Sequence, residues 1–355
     1  MKKKGLFYIH SVAGLISGIF ILILSISGSL LVFHEELDEL QQPTVQAVSG
    51  KEIISVDSCY HILQQKYPHA MISNCDIAEN ITMPFRFSMY DPSYKVGKAP
   101  MQVFLHPQTG SVLKTRGGSE DVKNNFMSWL AAFHSSFHLG KTGEWLLVFF
   151  SVLFIISLLT GLIIYRKNIP ATLLFRKSAW RKKNFHQVIG TWALLFNLMI
   201  AITGFWMQRY VFKNDFYSDS SWEMKLKASP DLSFNVNAAF IKMHEQFPDF
   251  TAAVIYFPQS KSGKMSVYGS NKTNSFIHNK KFADVIFIDS SGAACETRFV
   301  NSIPAADRYD IINSQIHFGK YGGWPVKIIY SLLGLTGGIL SITGFILWRK
   351  RRKSF

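Results

Sequence analysis

The chain is poor in the side chains that most metalloenzymes and nucleophilic enzymes use. Its 355 residues include three cysteines, with no C-x-x-C pair, and 23 acidic residues against 38 basic ones. Zinc and copper sites use clustered thiolates, imidazoles and carboxylates, and the long apolar segments contain no Cys, Asp or Glu. The sequence also lacks H-E-x-x-H, a phosphate-binding loop, a G-x-G-x-x-G turn and a Ser-His-Asp order. Common protease, nucleotide and flavin chemistries therefore have no support.

The chain does contain long apolar runs. Residues 6–33, 145–165, 185–208 and 328–348 carry no Asp, Glu, Lys or Arg, and each run reaches the roughly 20 residues that a helix needs to cross the hydrocarbon core. The first run is longer than the apolar part of a signal peptide, about 7–15 residues, and no small-residue cleavage site follows it. The sequence therefore predicts a mostly α-helical membrane protein with four transmembrane helices, the first retained as an anchor.

The distribution of charge predicts the orientation in the membrane. Residues 2–4, 166–183 and 349–353 contain basic residues and no acidic ones, and they account for the whole net charge of +15. The positive-inside rule places these segments, and hence both termini, in the cytoplasm. Residues 35–125 and 211–314 are then extracytoplasmic. Because the basic segments flank the apolar runs, the expected partner is the lipid bilayer and no nucleic acid is expected.

The two outer segments have similar patterns. Each begins with helical spacing, in "ISVDSCYHILQQKYP" and "NVNAAFIKMHEQFP", and continues with three or four alternating, strand-like stretches. This pattern predicts two small α+β domains. Cys59 and Cys75 both fall in the first, where they could form a disulfide or remain free thiols. The predicted boundaries are helix 1 with its cytoplasmic N-terminus at 1–34, outer domain 1 at 35–125, helix 2 at 126–165, the cytoplasmic basic loop at 166–183, helix 3 at 184–210, outer domain 2 at 211–314, and helix 4 with its basic tail at 315–355.

The helical segments also repeat, which predicts an internal duplication. The matched spacings are 18 residues for His10–Gly28 and for His186–Gly204, and 27 residues for His134–Gly161 and for His317–Gly344. A second local match aligns "HLGKTGEW", which begins at His138, with "HFGKYGGW", which begins at His317. Either His134 or His138 is therefore the equivalent of His317.

The histidines in these segments form two sets by depth. His10 and His186 lie at the predicted cytoplasmic ends of their helices, whereas His134, His138 and His317 lie at the outer side. Two imidazoles that face each other from neighbouring helices are what a bis-histidine haem requires.

Two glycines accompany the inner set. Gly14 and Gly190 follow His10 and His186 by four residues, on the same helical face, and would leave room for a flat macrocycle. Small residues also allow close helix packing without any cofactor. The predicted cofactor-binding residues are His10, His186, His134, His317, His138, Gly14 and Gly190.

The segments "IHSVAGL", "FHQVIGTWAL", "FHSSFHLGKTG" and "IHFGKYGG" resemble the PepSY-associated transmembrane helix family, and "FLHPQTGSVL" resembles the turn that closes a PepSY domain. The resemblance covers nearly the whole chain. It implies a protein of the bacterial inner membrane, with a four-helix bundle and two periplasmic PepSY-like domains. It also implies two b-type haems, one bound by His10 and His186 and the other by His134, or His138, with His317.

The resemblance further implies a function in iron acquisition. Electrons would pass from quinol or a cytoplasmic reductase, through the two haems, to a ferric siderophore or another Fe(III) chelate in the periplasm. Two alternatives remain: a non-enzymatic, membrane-anchored binding or regulatory protein, and a transport or assembly factor for metal uptake. Transport fits less well, because the apolar runs contain no carboxylate and no Pro-Gly break. Arg86, Lys95, Lys98 and Arg116 are either contacts for an anionic chelate or solvated surface charges.

Overall fold

The computed structural model describes residues 3–94, 100–174, 185–212, 228–260, 262–271 and 281–352. The chain divides into two compact units. The first, here called the helical unit, comprises residues 1–34, 130–219 and 313–355, and the second, the sheet unit, comprises residues 35–129 and 220–312. Lys95, Lys98 and residues 175–183 of the predicted basic loop lie outside the described residues.

The described secondary structure begins with a long helix, and its eight strands fall in two groups of four. In chain order the elements are α1 (Lys3–Leu31), α2 (His34–Glu39), α3 (Val56–Lys66), β1 (Met71–Asp76), β2 (Phe85–Tyr90), β3 (Met101–Leu105), β4 (Val112–Arg116), α4 (Phe126–Ser136), α5 (Lys141–Tyr165), α6 (Ile169–Leu173), α7 (Phe185–Trp192), α8 (Leu194–Met207), a 3₁₀ helix (Arg209–Phe212), α9 (Val236–Gln246), β5 (Phe250–Tyr256), β6 (Met265–Asn271), β7 (Asp284–Ile288), β8 (Ala294–Arg298), α10 (Ala305–Phe318) and α11 (Gly323–Arg352).

The helical unit contains the candidate membrane spans. Among the described residues, α1, α5 and α11 are each long and apolar enough to cross a bilayer. The pair α7 and α8 also passes this test if it forms one span, although the two helices are bent by 63° at their junction. Helix α1 packs against both α5 and α11. The chain is thus a membrane-associated protein with three candidate spans, or four if the bent pair is one.

The bend falls at Ala193, where the sequence has neither proline nor glycine. The carbonyl of Ala193 accepts the backbone N–H of Asn197 at 2.8 Å and also its side-chain amide at 3.0 Å. The same amide donates to Oγ1 of Thr336 on α11 at 2.9 Å. The buried Asn197 side chain thus adds a second donor to the Ala193 carbonyl at the bend and links α8 to α11, while the backbone hydrogen bond remains in place.

The sheet unit contains one antiparallel sheet of eight strands in the order β4-β3-β2-β1-β5-β6-β7-β8. The two groups of four strands join where β1 pairs with β5, with Cys75 opposite Ile255. This arrangement differs from the expectation of two separate outer domains. A four-stranded domain would leave β1 and β5 as unpaired edges, and pairing them satisfies the backbone groups of both.

The core of the sheet unit lies between the sheet and the helices α3 and α9. Alternate residues of the strands enter it, such as Phe85, Phe87 and Met89 on β2, as the period of two in a strand requires. Each helix begins at a capping side chain. Ser55 accepts the N–H of Ser58, and Asn235 accepts the N–H of Ala238.

Two arginines that the sequence places on the surface are partly or fully buried in the sheet unit. Arg116 is 1% exposed and Asp38 is 2% exposed. Arg116 donates to Oδ2 of Asp38 at 2.9 Å, and Arg86 donates to the same oxygen at 3.0 Å and to Asp76 at 2.6 Å. The expectation of solvated charge was wrong for Arg116, because its partner Asp38 is distant in sequence and adjacent in space.

The two cysteines of the first outer segment are both free and fully buried in the same core. Burial raises the pKa of Cys59 to about 12 and raises that of Cys75 well above its usual range. The thiols therefore remain protonated and contribute as small apolar side chains.

Candidate functional site

The structure brings His10 of α1 and His186 of α7 together. The centroids of their rings are 6.3 Å apart, and the ring planes are inclined by 76°. Both side chains are half-buried in the helical unit. The two residues that the sequence pairs by depth therefore face each other across two helices.

The hydrogen bond of His186 determines which of its ring nitrogens is protonated. Its Nδ1 lies 2.9 Å from Oγ1 of Thr343 on α11. The hydroxyl hydrogen of Thr343 is directed to the carbonyl of Ile339 at 2.7 Å, so the hydroxyl accepts and Nδ1 donates. The network thus assigns the proton to Nδ1 and leaves a lone pair on Nε2. This is the tautomer that binds a metal.

The same tautomer follows for His10 from a different acceptor. Its Nδ1 lies 2.8 Å from the carbonyl oxygen of Ser157 on α5, which can only accept. The hydroxyl of Thr160 is 3.3 Å away and donates to the carbonyl of Ile156. Both neighbours therefore require that Nδ1 carries the hydrogen, and Nε2 of His10 is again free to ligate.

The outer set repeats this arrangement. His134 of α4 donates from Nδ1 to Oγ of Ser27 at 2.8 Å, and His317 of α10 donates to Oγ1 of Thr203 at 2.9 Å. Each hydroxyl gives its own hydrogen to a helix carbonyl, that of Ile23 for Ser27 and that of Met199 for Thr203. His134 and His317 also lie near enough to interact electrostatically.

A glycine follows each of these hydroxyl residues in sequence and makes room for the imidazole. A Cβ added at any of the four would lie 3.0–3.3 Å from Cε1 of the facing ring, which is closer than side chains normally approach. The contacts are Gly161 with His10, Gly344 with His186, Gly28 with His134 and Gly204 with His317.

Sequence reasoning used these Ser-Gly and Thr-Gly pairs only as markers of the repeat and did not assign them to the site. The available signal was that Ser or Thr precedes the glycine in all four positions. The contacts are also reciprocal within each half of the helical unit. His10 of α1 lies against Gly161 of α5, and Gly28 of α1 lies against His134 of α4.

The two glycines predicted to clear a slot have a more general packing role. A Cβ at Gly14 would lie 3.2 Å from Oγ of Ser157, and one at Gly190 would lie 3.4 Å from the side chain of Leu340. Both residues line the same cavity as His10 and His186. They therefore allow close helix contacts at the cavity wall and do not themselves touch an imidazole.

The cavity beside His10 and His186 is mostly apolar and partly open to the exterior. Aromatic and aliphatic side chains form most of the wall, including Phe7, Phe154, Phe345 and Trp348. A flat, largely apolar ligand fits such a lining.

His138, the alternative to His134, occupies a different environment. It is exposed in the turn between α4 and α5, and both it and Phe137 have positive φ, 57° and 51°. His134, like His317, lies within the last turn of its helix. The similarity between "HLGKTGEW" and "HFGKYGGW" therefore reflects the turns that follow the two helices, whereas the matching hydroxyl and glycine contacts make the environment of His134 equivalent to that of His317.

The two histidine sets are far apart along α1. Eighteen residues separate His10 from Gly28, the contact of His134, which corresponds to about 27 Å of helix. The hydrocarbon core is about 30 Å thick. The two sets therefore have the spacing of two sites near opposite faces of a membrane.

The donor set suits a bis-imidazole metal group. No cluster of three or more His, Cys, Asp or Glu side chains that could hold a metal ion occurs among the described residues, so a protein-only zinc site has no support there. His10 and His186 instead offer two imidazoles whose ring centroids are 6.3 Å apart, close enough for both side chains to reach one ligand in the cavity that they line.

The sequence was also compared with known proteins. Residues 7–351 match the family model described as the PepSY-associated TM region. Among curated proteins, none matches the chain.

Proposed function

Because this chain belongs to the PepSY-associated TM family, we propose that it is a transmembrane electron-transfer protein with two b-type haems. In this proposal His10 and His186 ligate one haem, and His134 and His317 ligate the other. The acceptor is a ferric siderophore or another Fe(III) chelate outside the cytoplasmic membrane of a bacterium, and the donor is quinol or a cytoplasmic reductase.

The observation that carries the proposal is the oxygen atom that lies within hydrogen-bond distance of Nδ1 in each of four imidazoles. Each has a hydrogen-bond acceptor at Nδ1, which leaves the lone pair of Nε2 available. Metal-bound histidines have this outer hydrogen bond, which fixes ring orientation and raises ligand basicity. A histidine that only packs against a neighbouring helix does not require an acceptor at Nδ1 and a glycine beside the ring in all four positions.

The residues of the chain hold, orient and shield the two groups. A bound haem supplies a one-electron couple between Fe(III) and Fe(II). The hydroxyls and the Ser157 carbonyl keep each imidazole in one orientation, the glycines admit the rings, and the apolar cavity wall excludes water. One electron from the donor reduces one chelated Fe(III) to Fe(II), which hard oxygen ligands bind more weakly.

The arrangement in the membrane belongs to the same proposal. The basic segments support cytoplasmic termini by the positive-inside rule, with the sheet unit in the periplasm and α7 and α8 as one bent span. We further infer that the chain arose by internal duplication. The reciprocal histidine–glycine contacts in both halves support this inference.

Transport or assembly for metal uptake is the second candidate, and the bend at Ala193 favours it. Broken helices are typical of transporters, in which half-helix ends face a substrate. The backbone ladder at Ala193 nevertheless continues through Ile189 and Asn197, and no carboxylate lies in α7 or α8. Imidazoles that bind a transported ion would give no haem absorption, which separates the two candidates.

An absorption spectrum of the purified membrane protein tests the proposal. Protein from haem-replete cells should show a Soret band, α and β bands after dithionite reduction, and about two haems per chain. Reduced protein should be reoxidised by an Fe(III) chelate with formation of Fe(II), which an Fe(II)-specific dye detects. Colourless protein that is folded and monodisperse would refute the haem assignment, and haem-loaded protein that no Fe(III) chelate oxidises would refute the acceptor.

A further inference from the structure

The cavity beside His10 and His186 has a single permanently charged side chain among the described residues that line it. That side chain is Arg351, in the last turn of α11. The other polar groups of the wall are neutral, among them Ser11, Gln187 and Tyr165. An apolar cavity with one cation at its edge fits a ligand that is mostly apolar and has an anionic end.

Arg351 lies on the same face of α11 as the glycine that contacts His186. It follows Gly344 by seven residues and Trp348 by three, and both also line the cavity. Residues spaced by three, four and seven share one helical face. Seven residues of helix advance about 10 Å, so the cation lies two turns beyond the contact between Gly344 and His186, towards the helix end.

Neighbouring side chains hold the guanidinium of Arg351 on the His10 side of the cavity. The guanidinium carbon is 4.2 Å from the ring centroid of Phe7, a cation–π distance. The ring of Phe7 is in turn 6.4 Å from that of His10. Tyr165, which follows Gly161 by four residues, lies close enough to interact electrostatically with Arg351. The cation is thus positioned between the end of α1 that carries His10 and the end of α5 that carries Tyr165.

We propose that Arg351 binds the propionate carboxylates of the haem held by His10 and His186, and so orients that haem with its anionic edge towards the end of α11. A b-type haem has an apolar ring with two carboxylates on one edge. Carboxylates turned towards Phe154 or Leu158 would be buried without a partner, which is strongly unfavourable. A guanidinium pairs with a carboxylate through two parallel hydrogen bonds. This inference rests on the proposed haem ligation.

A phospholipid headgroup is the other source of an anion at this position. Arg351 belongs to a run of basic residues at the end of a candidate span, and such residues attract anionic lipids. The two sources differ in the group that is recognised. A headgroup would occupy Arg351 whether or not the porphyrin has free carboxylates, whereas a propionate contact disappears when those carboxylates are esterified.

The experiment compares haem retention for two porphyrins and several side chains in the full-length protein. Apoprotein in nanodiscs of one fixed lipid composition is reconstituted with iron protoporphyrin or with its dimethyl ester, and transfer of the ring to apomyoglobin is followed by absorbance. Arg351→Met is the test variant, and Arg351→Lys retains the charge without the planar fork. Arg352→Met is the matched control, because Arg352 is adjacent, lies 4.9 Å from the Trp348 ring and is outside the cavity lining.

With iron protoporphyrin, Arg351→Met should lose one of its two haems about three to ten times faster than the unsubstituted protein, since the pair is charge-assisted but exposed. Arg351→Lys should lie between the two, and Arg352→Met should match the unsubstituted protein. With the dimethyl ester the Arg351→Met effect should vanish. The affected haem should be the one that a His317→Ala variant retains.

Other outcomes overturn the inference. An equal effect of Arg351→Met on both porphyrins would assign the residue to packing or lipid binding, and no effect on either would remove it from the site. Both results leave the haem proposal standing, because the unsubstituted protein still shows a bis-imidazole spectrum. Failure of the unsubstituted protein to bind either porphyrin would instead refute the proposed function.

Discussion

The two halves of the helical unit repeat the same side-chain contacts, whereas the two halves of the sheet unit do not. In the helical unit each half has the same three-part contact, in which an imidazole donates to an acceptor on a neighbouring helix and lies against a glycine. His10 with Gly161 and His186 with Gly344 are one such pair of contacts. Only a narrow range of positions lets two imidazoles share one ligand, because both ring orientation and lone-pair direction must be correct.

In the sheet unit each half has a core helix, α3 or α9, and four strands. The buried polar groups of the two halves are paired in different ways. The first half uses the ion pairs of Asp38 with Arg86 and Arg116. In the second half the carboxylate of Asp284 accepts the backbone N–H groups of Asn271 and Val300, both at 2.7 Å. Any arrangement that pairs a buried polar group is compatible with a folded sheet. Under the proposed function, ligand geometry therefore constrains the helical unit, whereas burial alone constrains the sheet unit.

The largest expected effect comes from removing one of the proposed haem-binding histidines. His186→Ala should reduce the haem content from about two per chain to about one, because a bis-imidazole site cannot hold its haem with one axial ligand missing. Haem per chain is measured as the pyridine haemochrome. His138→Ala is the control and should retain both, since His138 is exposed in a turn. Equal losses in both variants would contradict the assignment of the sites.

The glycines beside the imidazoles give the next largest effect. Gly28→Ala places a Cβ 3.0 Å from Cε1 of His134 and should displace that ring, so the outer haem should be lost or its reduced spectrum altered. Gly18→Ala is the control on the same helix, because its Cβ would meet Ser341 at an ordinary 3.9 Å. Unchanged spectra for Gly28→Ala would show that the ring adjusts without cost, and the glycines would then have no special role.

In the sheet unit, the expected effect of a single substitution is on stability alone. Asp38→Asn leaves Arg116 buried without a counter-ion and should lower the free energy of unfolding of the sheet unit by about 3 kcal/mol, with no change in haem content. Asp249→Asn, an exposed residue, should change it little. Urea unfolding followed by near-ultraviolet circular dichroism measures both. A loss of haem in Asp38→Asn would contradict the expectation that this ion pair affects only the stability of the sheet unit.

The pH dependence of the same group has a definite sign. Burial alone would raise the pKa of Asp38, but the hydrogen bond and charge of Arg116, with the charge of Arg86, outweigh it and lower the pKa. Because the pKa of Asp38 is lower in the folded state, its carboxylate stabilises the sheet unit at pH values above the ordinary pKa of an aspartate. That stabilisation is lost as the pH falls through the folded value. The Asp38→Asn variant should lack this acid-side loss.

Sequence and structure agree best where a period or a repeat defines the feature. The apolar runs predict helices α1, α5 and α11, and the spacing of His10 and His186 predicts two residues that the structure places together. What the sequence could not indicate depends on contacts between distant segments. The third apolar run bends next to Asn197, whose side-chain partner Thr336 lies 139 residues away. The buried state of Arg116 likewise requires a partner 78 residues away.

The smallest expected effect concerns the hydroxyls, and it tests whether the outer hydrogen bonds adjust a potential or only hold a ring. Thr343→Val removes the acceptor of the Nδ1 hydrogen of His186, so the imidazole becomes a weaker donor to iron and the oxidised haem loses stabilisation. The midpoint potential of the inner haem should rise by about 40 mV, which corresponds to one hydrogen bond of about 1 kcal/mol in a one-electron couple.

Thr343→Ser is the matched control for that measurement, because it keeps the hydroxyl and removes only a methyl group. Its potential, measured by spectroelectrochemistry in the same nanodiscs, should stay close to that of the unsubstituted protein. His10 provides an internal comparison, since its acceptor is the Ser157 carbonyl at 2.8 Å and no side-chain substitution removes that group. Thr160→Val, which removes only the 3.3 Å neighbour of His10, should therefore shift the potential less than Thr343→Val. A larger shift for Thr160→Val than for Thr343→Val would contradict the idea that the acceptor nearest Nδ1 controls the basicity of the imidazole.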